Sequence, residues 1–225
     1  MTFYSPTDSK FTRHYREEVE MVFSGTDCVL NGERAIYCSS ELTTGVRLYE
    51  VLREHHLRTA SELKEKLGKQ WFETNLFCVN MQHAADFAKT VRSSFAGDTM
   101  VITPAPFTAP GWSQLEYLAF WETLIRSRIK AVWFNQNWEF SNGCAFELAV
   151  AVDEGIPTLD CFGNPMGLGE AIERLGNAVT QLRSEEFDTT KLREALTHLH
   201  SALPHAGNDS AAHPVPEKSN PILRS

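Results

Sequence analysis

Short apolar runs along this chain alternate with longer stretches in which apolar residues recur at every third or fourth position, the repeat of a helix face. The runs are Ala35–Ser39 (AIYCS), Thr99–Thr103 (TMVIT), Lys130–Asn135 (KAVWFN) and Pro157–Cys161, and each reads as a strand. Val46–His55, apolar at 46, 48, 51 and 52, reads as a helix, and Ser61–Leu67 as a shorter one with Thr59 as its N-cap. Met81–Phe95 carries the stripe Ala84, Phe87, Ala88 and Val91 and stops at Gly97. Ser113, with Glu116 three positions on, has the capping-box pattern and opens a helix that runs to about Arg128. Cys144–Glu154 is a short helix of small and apolar residues closed by Gly155.

Strands alternating with helices imply an α/β fold: a mainly parallel sheet with helices on both faces, a Rossmann- or flavodoxin-like sandwich. Ligands bind such sheets beyond the carboxyl ends of the strands. The loops expected there are Ser39–Gly45, Pro104–Trp112 and Gln136–Gly143. Residues 34–165 hold this domain, preceded by an N-terminal extension, 1–33, with a helix around Thr12–Phe23. Two further helices, Leu168–Arg183 and Thr189–Leu203, fill 166–203, and 204–225, rich in Pro, Ser, Asn and His, is expected to be a disordered tail.

Composition narrows the class without changing the fold. At 225 residues, 42% hydrophobic and 22% charged, the chain is long enough for a full core. A balance of 21 Lys+Arg against 29 Asp+Glu, net −8, disfavours a protein that coats a nucleic-acid polymer or an anionic membrane. No apolar run approaches the roughly 18 residues of a membrane span. The polar start lacks the features of a signal peptide, so a cytoplasmic location is expected. Five cysteines stand singly, and the histidines have no metal-ligand spacing. P-loop, GxGxxG and GxSxG patterns are missing, and neither metal nor cofactor is expected.

The chemistry concentrates in Asn137–Ala151 (NWEFSNGCAFELAVA). A strand ends, a polar turn follows, and a helix opens with Glu147 read as lying in its first turn, where the macrodipole favours an ionised carboxylate. Phe146, Leu148, Ala149 and Val150 around it are apolar, so an inward Glu147 sits in a confined cleft. A carboxylate there can attack an electron-poor carbon such as the anomeric carbon of a sugar; alternatively, it only satisfies the helix N-terminus. Ser39, Ser40, Thr43 and Thr44 offer hydroxyls to a phosphate or ribose, or serve ordinary turn and cap chemistry. Trp112 and Trp138, in strand-end loops, either stack on a base or close over the core, whereas Trp121 and Trp133 read as core.

Trp138-x-x-Ser141-x-Gly143-x-x-x-Glu147-x-x-x-Ala151, then Gly155-x-Pro157, resembles the signature of the nucleoside 2-deoxyribosyltransferase-like superfamily, in particular its small phage and bacterial branch. Trp112-Ser113-x-x-Glu116-Tyr117 and the helix carrying Glu122 are similar to the family's second segment. Tyr37-Cys38-Ser39-Ser40, followed by Thr43-Thr44-Gly45, resembles its first strand and nucleotide-side loop. The likeness covers roughly residues 34–161, interrupted around 56–79.

This resemblance implies that Glu147 is a nucleophile that attacks C1′ and displaces the base, leaving a glycosyl-enzyme for water or a second base to release. Glu122 matches an acidic position of the family and is expected to be the second catalytic carboxylate. Tyr37, Ser39, Ser40, Thr43, Thr44, Gly45, Trp112, Trp138, Ser141, Asn142 and Gly143 are expected to bind substrate. Where the family's transferases often carry an aspartate this chain has Ser141, a poor proton donor, so hydrolysis fits better than base exchange. The expected activity is cleavage of the N-glycosidic bond of a nucleoside or nucleoside monophosphate. The alternative is a domain that senses a nucleotide or ADP-ribose-type ligand without turnover. Family pockets are completed across a subunit interface, which implies a homo-oligomer.

Overall fold

The structure, a computed structural model, describes residues 13–95, 97 and 99–206, with side chains over 19–95, 97 and 99–203. The chain runs through α1 (Arg13–Leu30), β1 (Ala35–Ser39), α2 (Val46–Glu54), α3 (Ala60–Leu67) and α4 (Lys69–Phe72). A π-helical turn, Glu73–Phe77, leads directly into α5 (Cys78–Ser93), and β2 (Val101–Ile102) follows. Then come α6 (Gln114–Arg128), β3 (Ile129–Phe134), a 3-10 turn (Trp138–Phe140), α7 (Asn142–Asp153) and β4 (Thr158–Leu159). The chain continues into α8 (Leu168–Ser184) and α9 (Thr190–Ala206). The expected tail lies, from residue 207 on, outside the described residues, as do residues 1–12 of the expected N-terminal extension.

The strands form one all-parallel sheet in the order β2-β1-β3-β4. Its two central strands are buried on both faces, which is why AIYCS and IKAVWF read as continuous apolar runs rather than alternating ones. Period-two alternation then sorts their side chains. Ile36, Cys38, Ala131 and Trp133 face Phe87, Ala88 and Val91 of α5. Tyr37, Val132 and Phe134 face the larger core built from α6, α7, α8 and α9. The outer strands pair on one side only and shrink to two residues each, shorter than Thr99–Thr103 and Pro157–Cys161 suggest.

Local signals placed several helix starts. Thr59 accepts the Glu62 N–H at 3.1 Å while the Glu62 carboxylate accepts the Thr59 N–H at 3.3 Å. Glu116 likewise accepts the Ser113 N–H at the start of α6. The helical segment from Lys69 to Phe77, within the interruption around 56–79, carries no such signal. Its π turn leaves backbone carbonyls off the regular ladder, and Arg47 Nε donates to the carbonyl of Asn75 at 2.9 Å. That bond ties α2 to the π turn.

Beyond β4 the chain turns back over the sheet. The Asp160 carboxylate accepts the N–H groups of Phe162 (2.9 Å) and Asn164 (2.7 Å), and this holds Gly163 against the Trp133 indole. Gly163 has φ +77°, and a Cβ there would stand 2.2 Å from the ring. Gly163→Ala is expected to cost about 2 kcal/mol or more through combined strain and overpacking, read as a lowered urea midpoint with an unchanged slope.

Candidate active site

Tyr37 and Ser39 are two apart on β1 and so point to the same face of the sheet, the one covered by α7. There the Tyr37 hydroxyl donates to Glu147 Oε1 at 2.7 Å and the Ser39 hydroxyl to Oε2 at 2.6 Å. Glu147 is only 6% exposed. Burial raises its pKa to about 7, and the hydrogen bonds from Ser39 and Tyr37 work against that rise by favouring the ionised form. The Tyr37 phenol is itself raised well above its ordinary value by burial and by the neighbouring Glu147, so it stays a proton-bearing donor.

The first-turn expectation for Glu147 is corrected. Helix α7 begins at Asn142 because Ser141 is its N-cap, accepting the Cys144 N–H at 3.4 Å. Its first turn holds no acid, and Glu147 lies one turn deeper. Burial against two hydroxyl donors, rather than the helix terminus, therefore sets its protonation. Thr44 braces the same turn from the β1 loop, with its Oγ1 accepting the Asn142 N–H at 3.0 Å and lying 3.4 Å from Ser141 Oγ.

Glu147 faces a cavity of about 420 Å³ at the carboxyl edge of the sheet. All three strand-end loops picked out by sequence contribute to it, through Ser40–Thr44, Pro104–Thr108 and Ser141–Gly143. The walls are aromatic: Phe77, Phe107, Tyr117, Trp121 and Phe146. Phe107 stacks on Phe120 at 4.9 Å with an interplanar angle of 2°, and Tyr117 pins its loop through the Ala109 N–H at 2.8 Å. Two polar groups of the wall have no hydrogen-bond partner among the described residues, Ser40 Oγ and Asn142 Oδ1. The far side is closed by Lys191, Glu194 and Ala195 of α9.

Of the expected site residues, Ser40, Thr43, Thr44, Ser141, Asn142, Gly143 and Glu147 line the cavity. Tyr37 and Ser39 lie behind Glu147 and hold it rather than reach a ligand. Four expectations are corrected. Glu122 is outside the cavity wall, paired with Arg126 at 3.0 Å, and Arg126 also binds Glu154, so this carboxylate ties α6 to the end of α7. Trp138 is 1% exposed, because the 3-10 turn folds it under Phe134 (5.2 Å) and the Arg174 guanidinium (5.5 Å). Trp112 packs on Tyr117 and Phe107 at 5.4 and 5.8 Å and props the wall from behind. Gly45 caps α2 with φ +137° and the Glu41 carboxylate where a Cβ would stand; Glu41 accepts the Val46 N–H at 3.0 Å.

Trp121 lies in the core as expected and also lines the cavity, as does α9, one of the two helices expected over 166–203. The Trp121 contact depends on Phe107, 5.3 Å away from a distant loop, and the α9 contact on packing against α7; neither leaves a local mark in the sequence. The chain matches no protein-family model, no curated protein and no solved structure.

The buried carboxyl has a consequence for stability. Below pH 4.5 Glu147 carries its proton in both the folded and the unfolded chain. Between 4.5 and about 7 the folded protein keeps a proton that the unfolded chain releases, so stability falls as pH rises through that window. Glu41, raised to about 7 chiefly by burial, acts in the same direction. The urea midpoint is expected to drop between about pH 5 and about pH 8, and Glu147→Gln to remove part of that slope. An equally steep slope in Glu147→Gln would mean that the carboxyl titrates normally.

Proposed function

We propose that this protein cleaves the N-glycosidic bond of a nucleoside or nucleoside monophosphate, with Glu147 as the nucleophile, as its resemblance to the nucleoside 2-deoxyribosyltransferase-like superfamily implies. The observation that carries the reading is a carboxylate at the floor of an aromatic cavity with a hydroxyl donor on each oxygen. Two donors fix its plane and favour the charge that an attacking group needs, while the aromatic walls suit the flat faces of a base. In the first step a Glu147 oxygen bonds to C1′ as the C1′–N bond breaks, and the electron pair leaves with the base, which takes a proton from solvent water. In the second, water adds to C1′, the ester breaks, Glu147 returns as carboxylate and the water's proton is lost to solvent.

A domain that binds the same ligand without turnover is the second reading. It draws on the position of Glu122 outside the cavity and on the capping role of Ser141, which leave Glu194 as the other acid of the described wall. Glu194 is already paired with Lys191 at 2.9 Å, so this carboxylate is committed to an ion pair.

Incubation of the full chain with a panel of nucleosides and their monophosphates, with chromatography for free base, separates the two. Base release is expected, lost by several orders of magnitude in Glu147→Ala with the circular dichroism spectrum intact. Its rate is expected to rise with pH to a plateau above about 7, as Glu147 ionises. Near-normal release by Glu147→Ala would refute the nucleophile; ligand binding without release would establish the sensor.

A further inference from the structure

Whether the sugar of the ligand carries a phosphate depends on the cavity's charges and on which of its donors are already spent. Two of the first three N–H groups of α7 are already engaged inside the protein, Asn142 with Thr44 Oγ1 at 3.0 Å and Cys144 with Ser141 Oγ at 3.4 Å. A phosphate seated at this helix start would have to break those bonds, so the usual anion-binding use of a helix N-terminus is pre-empted. Among the described residues, the buried wall atoms that lack partners are neutral. Ser40, 7% exposed, offers a hydroxyl, and Asn142 an amide oxygen that accepts a hydrogen bond from a hydroxyl or N–H.

The charged groups point the same way. The described wall holds Glu147, Glu194 and one cation, Lys191, and Lys191 sits 2.9 Å from Glu194. With Glu147 ionised these described groups sum to a net negative charge, and Lys191 is already paired with the glutamate one helical turn along α9. Both belong to a helix beyond roughly residues 34–161, the stretch that carries the family resemblance.

We propose that this cavity selects an uncharged ligand, taking a nucleoside in preference to its 5′-monophosphate, and that Glu194 is the residue that sets this preference by offsetting Lys191. The inference rests on the N-glycosidase reading for the class of ligand. Removing the Glu194 charge takes one negative group from the described wall and lowers the repulsion that a phosphate meets. The pair is about half exposed, at 51% and 47% for the two side chains, so salt screens its effect.

The test is isothermal titration of the full chain, and of Glu194→Gln, with the common ribo- and deoxyribonucleosides and with their 5′-monophosphates, at low salt and at about 0.3 M salt. The expected result is that at least one nucleoside binds and its monophosphate binds at least about tenfold more weakly at low salt. The gap should narrow about two- to fivefold in Glu194→Gln and also in high salt. Equal or tighter binding of the monophosphate by the unmodified chain, or binding of no nucleoside, would overturn the selection. An unchanged gap in Glu194→Gln would overturn the role of Glu194. Free base is scored in the same samples: the expected preference without base release upholds this inference and defeats the N-glycosidase, whereas release that favours monophosphates does the reverse.

Discussion

The grip of Tyr37 and Ser39 on Glu147 joins the centre of the sheet to the helix that follows its neighbouring strand. It falls where the strand order reverses: from β1 the chain steps to β2 on one side, then returns to build β3 and β4 on the other. At that point the loops after β1 and β3 part, and an open crevice between them is a consequence of topology. The crevice floor is therefore an α7 side chain, and the hydroxyls that orient it come from β1. A strand can supply two donors to one carboxylate only from residues two apart, which is what Tyr-Cys-Ser provides.

The same contact sets a conflict between burial and charge. A dry carboxyl prefers its proton, whereas two hydroxyl donors prefer the anion, and the balance leaves Glu147 near pH 7. Such poise costs folding stability at neutral pH and is the kind of cost found where a group must react rather than merely pack. The hydroxyl ring around the start of α7, made by Ser141 and Thr44, holds that helix so that Glu147 keeps its aim. Aromatic side chains from three separate stretches, Phe77, Phe107 and Trp121, line the space above it.

Much of the sheet was legible because its central strands are short and buried on both faces. Ala35–Ser39 has the bounds that its apolar run suggests, and Thr59 and Ser113 begin helices by local bonding that the sequence spells out. The places of Ser40 and the Ser141–Gly143 turn were legible as well, since each stands at a strand end or in the helix start that follows, whereas the apolar residues around Glu147 marked it as inward but not one turn deeper in α7. What escaped is long-range. Glu122 is drawn away by Arg126 and the far end of α7, Trp138 is folded under by a left-handed Asn137 (φ 63°), and α9 reaches the cavity only through packing on α7. The π turn that leads to Phe77 has no sequence mark either, because an extra residue in a helix is accommodated by neighbours such as Arg47.

The central claim is that Glu147 forms a bond to the sugar, and intact-protein mass spectrometry of acid-quenched reaction mixtures tests it most directly. The account predicts a transient species heavier by the glycosyl group, mapped by peptide fragmentation to Glu147 and missing from Glu147→Gln. Base release that proceeds with no adduct at any quench time, or with an adduct on another residue, would contradict it.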